Sequence, residues 1–308
     1  MSEQNISAIK NSTVIHNKHP SIVTIAIQKG GAGKTTCAVN LAASYAFLGM
    51  KVLLVDLDYQ ANSTELIGIE SKNLSHEKTV CYALENKLPF EDVVIESEIE
   101  NISILAASDR LYALSQSSLG KPDQNFLLHP LLESEMLNQF DIVIIDTNPN
   151  PDALFQSAFT ISHYYIVPVF PENDVIDGLA TVFKNAETIK KYLNPKLTLL
   201  GCAIQKFDKE SAAHVQNEKI LRRISKETRM PIFESVIPFS KSVYSASNAH
   251  KPLLNYIKNS PVAKSYLALA GEIRPMLKGG RIGRPQVTMN INKSRYEQLL
   301  NEDLATIE

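Results

Sequence analysis

Residues 22–36 read Ile22-Val23-Thr24-Ile25-Ala26-Ile27-Gln28-Lys29-Gly30-Gly31-Ala32-Gly33-Lys34-Thr35-Thr36. The β-branched apolar run before Gln28 suits a strand buried on both faces. The glycines after it let the backbone wrap closely around a phosphate. A helix starting there adds converging N–H groups and a partial positive charge. Thr35 to Leu48 has the small and apolar residues of such a helix, with Gly49 placed as its C-terminal stop. Lys51-Val52-Leu53-Leu54-Val55-Asp56 is the next strand. Strand, glycine loop, helix and strand form the crossover unit of a parallel sheet. In that setting Gly30, Gly31, Ala32 and Gly33 cradle phosphate oxygens. Lys34 is placed for the β- and γ-phosphates, the Thr35 hydroxyl for Mg²⁺, and Thr36 for the α-phosphate.

Outward from this unit, short apolar runs recur. Ile102 to Leu105, Ile142 to Asp146, Tyr165 to Val169 and Leu197 to Ile204 are candidate strands. Helical stretches over 131–139, 178–193 and 211–227 separate several of them. The expected fold is α/β: one doubly wound, mostly parallel sheet with helices on both faces, over residues 20–277. Residues 1–19 are expected to be a flexible extension. Lys278 to Pro285 is a Gly/Pro/Arg linker within a tail spanning 278–308. In it, Val287 to Ile291 alternates like a strand. Tyr296, Leu299, Leu300, Leu304 and Ile307 then fall on one face of a helix.

Composition agrees with a globular chain that buries a core. Of its 308 residues, 44% are hydrophobic and 21% charged. No apolar run approaches the ~20 residues of a membrane-spanning helix, and Met1 to Pro20 has no signal-peptide core, so cytoplasmic residence is expected. Cys37, Cys81 and Cys202 are widely spaced and have no C-x-x-C pair, which argues against a zinc or iron–sulfur site. Charge is uneven. Residues 1–180 hold 10 Lys and Arg against 22 Asp and Glu, whereas residues 181–308 hold 21 against 11. A basic second half points to a polyanion-binding face.

The lysine that opens the loop, Lys29, is not required by an ordinary phosphate loop. The form Lys29-Gly30-Gly31-Ala32-Gly33-Lys34-Thr35 resembles the deviant Walker A motif of the ParA/MinD superfamily of ATPases. That resemblance implies an ATP- and Mg²⁺-dependent ATPase in which Lys29 crosses a homodimer interface to the partner's phosphates. Val55-Asp56-Leu57-Asp58-Tyr59-Gln60 is similar to the family's V-D-x-D-P-Q, with Tyr59 in place of proline. By resemblance, Asp58 positions the attacking water and Asp56 supports the Mg²⁺ site. Phe140 to Thr147 looks like a Walker B strand whose Asp146 holds the Mg²⁺ shell. Asn148 stands where the family commonly has a proline. Val167-Pro168-Val169, Pro171-Glu172 and Gly178-Leu179 resemble the following strand and helix. Val236-Ile237-Pro238 resembles the segment against the adenine edge, and Gln205 lies in the other loop expected near the base.

Within the superfamily the resemblance is to the ParA branch. It implies nonspecific DNA binding by the ATP dimer on the nucleoid, and stimulation by a ParB-like centromere-binding partner. The basic candidates for DNA are Lys206, Arg222, Arg223, Lys241, Lys251 and Lys258. The alternative is a MinD-like membrane-cycling ATPase. That reading needs a C-terminal amphipathic helix suited to anionic lipid, but residues 293–308 hold Lys293 and Arg295 against Glu297, Glu302, Asp303 and Glu308. The strand and helix of the tail also resemble half of a ribbon–helix–helix module, but only one helix follows, and a terminal partner-binding or dimer-bracing element, or simple surface packing, is expected ahead of it.

Overall fold

The computed structural model describes residues 19–172 and 175–277. The expected N-terminal extension, apart from its last residue, and the strand–helix tail of 278–308 lie outside them.

Seven strands form one sheet. They are β1 (Ser21–Ile25), β2 (Val52–Asp56), β3 (Val94–Glu96), β4 (Ile102–Leu105), β5 (Ile142–Asp146), β6 (Tyr164–Val169) and β7 (Thr198–Ile204). Their order across the sheet is β3-β4-β2-β5-β1-β6-β7. All neighbours pair parallel except β3, which runs antiparallel to β4 at the edge. The doubly wound α/β architecture read from the sequence is therefore the one observed, with β3 as an added antiparallel edge.

The eleven α-helices among the described residues are α1 (Lys34–Phe47), α2 (Asn62–Leu66), α3 (Val80–Asn86), α4 (Arg110–Ser118), α5 (His129–Glu133), α6 (Ala153–Ile161), α7 (Val175–Tyr192), α8 (Ala212–Thr228), α9 (Lys241–Asn248), α10 (Leu253–Tyr256) and α11 (Pro261–Leu277). The two-residue period of each strand assigns them to faces. Val23, Ile25, Val52, Leu54, Ile142 and Ile144 pack with α1, α10 and α11. Ile22, Leu53, Val55, Val143 and Ile145 point the other way, against α3 to α6. Further along that second face, Tyr165, Val167, Val169 and Ile204 pack against α7 and α8. Each fully buried Val, Leu or Ile contributes roughly 1.5–3 kcal/mol, so this double coverage is the main stabilising term.

One expected helix is interrupted. Residues 131–139 divide into α5 and a short 3-10 turn over Glu135–Gln139. Between them Ser134 is extended, and its hydroxyl accepts the Met136 N–H to cap the second segment. A serine that competes for backbone N–H groups favours a cap over a helix interior. Gly49 takes φ 82, and α1 ends at Phe47 just before it, as its sequence position indicated.

Candidate nucleotide site

The order β2-β5-β1 places three strand ends side by side. Ile25 is in register with Asp146, and Asp146 with Asp56. Ligands of doubly wound sheets bind at this carboxyl edge. Residues 29–33 fill the turn between β1 and α1, with Gly31 at φ 72 and Gly33 at φ 85. A side chain at either position would be strained in this left-handed region. A Cβ built at Gly30 or Gly31 meets no atom within 4 Å. What the glycines keep clear is open space rather than a packing contact, and that is the space a phosphate chain needs. Ala32 is buried and its methyl joins the core beneath the loop.

Lys34, the first residue of α1, is buried, and its Nζ donates to the Lys29 carbonyl at 3.2 Å. Burial lowers its pKa, while the charges of Asp146 and Asp58 pull it back up. Thr35 and Thr36 are half-buried in the same turn. The Thr36 carbonyl accepts from Asn40 Nδ2 at 2.8 Å. Asn40 Oδ1 in turn accepts the Leu253 N–H at 2.8 Å, which ties α1 to α10.

Two fully buried carboxylates, Asp56 and Asp146, stand on adjacent strands. Asp56 accepts the Asp58 N–H through Oδ1, and the Thr64 N–H and hydroxyl through Oδ2. Asp146 Oδ2 accepts the Ser63 hydroxyl at 2.8 Å, whereas Asp146 Oδ1 is buried without a hydrogen-bond partner among the described residues. Burial raises the pKa of both carboxyls, and for Asp56 the Asp146 charge adds to it. Thr35, Ser63 and Lys34 oppose the shift at Asp146. Two like charges buried together, with one oxygen unsatisfied, call for a cation. With the Thr35 hydroxyl facing the same carboxylate, the donor set is all oxygen, which fits Mg²⁺. Asp58 is nearly buried beside them, and its Oδ1 accepts the Gln60 N–H at 3.0 Å.

Both departures from the family pattern are locally satisfied. Tyr59 packs edge-on against Tyr112, with ring centroids 5.4 Å apart. Asn148 is buried; its Nδ2 donates to Asp152 Oδ2 at 2.8 Å and its Oδ1 accepts the Asn150 N–H at 2.7 Å. Asp152 also caps α6 by accepting the Phe155 N–H. Here side-chain bonds shape the loop that a second proline would otherwise stiffen.

Lys29 is placed differently from Lys34. Its Nζ reaches Glu172 Oε2 at 2.9 Å, in a pair whose side chains are 21% and 46% exposed. Gly178, in the first turns of α7, lies against the same loop. A Cβ there would come within 3.3 Å of Ile27 and 3.8 Å of Lys29.

Gln205 does not line an open cleft near a base. It is 1% exposed, its Oε1 accepts the Tyr266 hydroxyl at 2.6 Å, and its Nε2 faces Cys37 Sγ at 3.8 Å. It lies beneath Gly33 and supports the loop from below. Pro238 is half-buried and bridges to Phe207, so the two loops expected near the base lie side by side.

The six basic candidates for DNA are not brought together. Lys206 belongs to the phosphate loop: its Nζ donates to the Gly31 carbonyl at 2.7 Å and lies 5.4 Å from the Phe170 ring centre. On α8, Arg222 pairs with Glu218 and Glu234, and Arg223 with Glu227. Lys241, Lys251 and Lys258 are exposed on or beside α9 and α10, which pack together, with Lys258 over the Phe47 ring. Sequence reading had missed Ser63, Thr64 and Glu172 as site partners.

A glycine loop between β1 and α1, a buried lysine and paired strand-end carboxylates define a P-loop nucleoside triphosphatase. Comparison with known proteins narrows this class. A family profile described as "AAA domain" matches residues 20–199. The sporulation initiation inhibitor protein Soj of Bacillus subtilis is 31% identical over 252 residues, which is 82% of this chain and 97% of that protein. The chromosome-partitioning ATPase Soj of Thermus thermophilus is 32% identical, covering 82% and 94%. Among solved structures, cobyrinic acid a,c-diamide synthase from Mycobacterium smegmatis, with bound ADP and magnesium, superposes with a TM-score of 0.71. It is 24% identical and covers 85% of this chain and 97% of its own, a likeness of fold. The chain belongs to the ParA/MinD superfamily of P-loop ATPases, a class that hydrolyses ATP with Mg²⁺.

Proposed function

We propose that this chain is an ATP-dependent dimerising ATPase that binds nonspecific DNA and drives segregation of a DNA cargo, together with a ParB-like centromere-binding partner. The names of its relatives support a role in partition. One observation carries the DNA reading. No Asp or Glu occurs between Glu234 and Glu272, and within that stretch Lys241, Lys251 and Lys258 are exposed. A segment that holds lysines and no acids of its own, with Glu65 reaching it only at His250, suits a phosphate backbone. Phe239 and Tyr244 are exposed on the same segment. Its place of action is then the cytoplasm, on the nucleoid. Among the described residues no helix is long and apolar enough to cross a membrane.

The roles proposed for the site residues are those the family resemblance implies, and their placement at the sheet's carboxyl edge supports them. Lys34 holds the β- and γ-phosphate oxygens, and the loop N–H groups orient them. Thr35, Asp56 and Asp146 would hold Mg²⁺, which when bound would neutralise phosphate charge. Asp58 orients the water that attacks the γ-phosphorus, and the bond to the ADP oxygen breaks, giving ADP and phosphate. Lys29 completes the charge balance from a second subunit. A partly exposed ion pair contributes about 0–1 kcal/mol, so Glu172 releases Lys29 at little cost when a better anion arrives.

The test measures binding to nonspecific duplex DNA across a salt series with ATP, ADP and no nucleotide, alongside vesicles of anionic lipid. ATP-dependent, salt-sensitive DNA binding is expected. Binding to vesicles in place of DNA would support the MinD-like reading. DNA binding that ignores nucleotide would defeat the switch. Lys29→Ala should abolish partner-stimulated turnover, and full retention would remove the shared site.

A further inference from the structure

The reach of Lys206 into the phosphate loop has no counterpart in the roles assigned above. Lys206 follows β7 with a left-handed φ of 52, although it is not glycine. Both its neighbours are pinned. The Gln205 N–H donates to the Val169 carbonyl at 2.7 Å, and the Gln205 side chain is held by Tyr266. The Phe207 N–H donates to the Ile237 carbonyl at 2.9 Å, and the Phe207 carbonyl accepts from Phe239 at 2.8 Å. Held from both sides, the backbone turns the Lys206 side chain onto the Gly31 carbonyl, and the face of Phe170 helps to hold the ammonium.

A trans peptide is planar, with its C=O and the following N–H on opposite sides. Fixing the Gly31 carbonyl toward Lys206 therefore fixes the Ala32 N–H away from it. Without that anchor the Gly31–Ala32 peptide is free to rotate from its Gly31 side. Gly31 has no side chain, and its φ of 72 lies where glycine moves freely between wells. Ala32 is held on the other side by its buried methyl. A phosphate cradle works only when its N–H groups converge before the ligand arrives.

We infer that Lys206 is a positioning residue for nucleotide binding: its ammonium locks the Gly31–Ala32 peptide so that the Ala32 N–H is preset in the phosphate cradle. Its contribution falls on the loop, so ATP and ADP share it. Lys206 is thereby removed from the DNA-binding set.

The inference rests on the loop being the nucleotide site, and the two are tested apart. Lys206→Met keeps the stem and removes the donor, Lys206→Arg keeps a charged donor, and Lys34→Ala reports on the site itself. Affinities for ATP and ADP would be measured by calorimetry, and unfolding without nucleotide by thermal melting. Lys206→Met should weaken ATP and ADP by a similar factor, about tenfold or ~1.4 kcal/mol, with the nucleotide-free melting temperature unchanged. Lys206→Arg should restore most of the loss, and DNA binding at saturating ATP should be unaltered. Wild-type nucleotide affinity in Lys206→Met would overturn the inference. So would a loss for ATP alone, which would make Lys206 a γ-phosphate ligand, or a loss matched by lower nucleotide-free stability. If Lys34→Ala also bound ADP normally, the nucleotide site itself would be misplaced.

Discussion

The carboxyl edge of the sheet and the α8–α10 surface both carry charge, but under opposite conditions. At the edge, Lys34, Asp56, Asp58 and Asp146 are buried or nearly so, and their positions are fixed by strand ends and one helix N-terminus. On α8 to α10 the charges face water. There Arg222 and Arg223 pair with acids on their own or nearby turns, while Lys241, Lys251 and Lys258 are exposed. A buried charge is costly unless something balances it, so each residue at the edge has one function it can satisfy. A solvated lysine costs little wherever it stands, so only the absence of nearby acids distinguishes a binding face from an ordinary one.

The sharpest test of that contrast is Lys34→Ala. It removes the buried cation between the loop and the Asp58–Asp146 pair. Turnover should fall by about 10³-fold, the scale of losing a preorganised electrostatic contact in a water-excluded site. Phosphate release under single-turnover conditions reads it directly. A drop of only a few-fold would mean that the buried edge tolerates charge loss as well as the surface does.

A smaller effect concerns stability and has the opposite sign. Asp56 and Asp146 have raised pKa values, chiefly through burial. Folding therefore takes up protons in the range above ordinary carboxylate values. With the folded state binding more protons than the unfolded one, nucleotide-free stability falls as pH rises through that range. Asp146→Asn should raise the melting temperature at neutral pH by about 3 °C, or ~1 kcal/mol, and flatten the pH slope. The Asn oxygen still accepts from Ser63, and its amide occupies the place of the unpartnered Oδ1. Mg²⁺ with ADP should flatten the slope in the unsubstituted protein as well. ATPase activity should be lost in the variant that gains stability. A variant that melts lower than the parent would show that the carboxylate pair is already compensated.

How much of this was legible in the sequence follows from the same contrast. The loop of residues 29–36 and the ends of β2 and β5 could be read because each is one contiguous strand–loop–helix or strand–turn segment. Ser63 is 83 residues from Asp146, Glu172 is 143 from Lys29, and Lys206 is 175 from Gly31. No local periodicity encodes such contacts; they exist only once the sheet order brings the loops together. Gln205 shows the reverse error. The loop that holds it was legible, but not that Tyr266, 61 residues later, would take its carbonyl and turn it into the core. The break at Ser134 was missed because an apolar spacing cannot register one serine that prefers to cap.

The smallest expected effect lies on the basic surface, where it separates lysines that sequence alone could not rank. Lys241 is exposed at the first turn of α9 in a stretch without acids, and Arg222 is held by Glu218 and Glu234. A side chain that neutralises one backbone phosphate releases about one counterion, so removing it lowers the slope of log affinity against log salt by ~1. Lys241→Ala should do this for nonspecific duplex DNA in the presence of ATP. Arg222→Ala should leave the slope unchanged, because its guanidinium already has two carboxylates and would have to give them up to reach DNA. Both variants should keep nucleotide affinity, since neither side chain touches residues 29–36. Equal slope changes for the two would place α8 in the DNA face. A change for Arg222→Ala alone would move the face from α9 to α8, and the stretch without acids would then lose its meaning as the marker of the DNA surface.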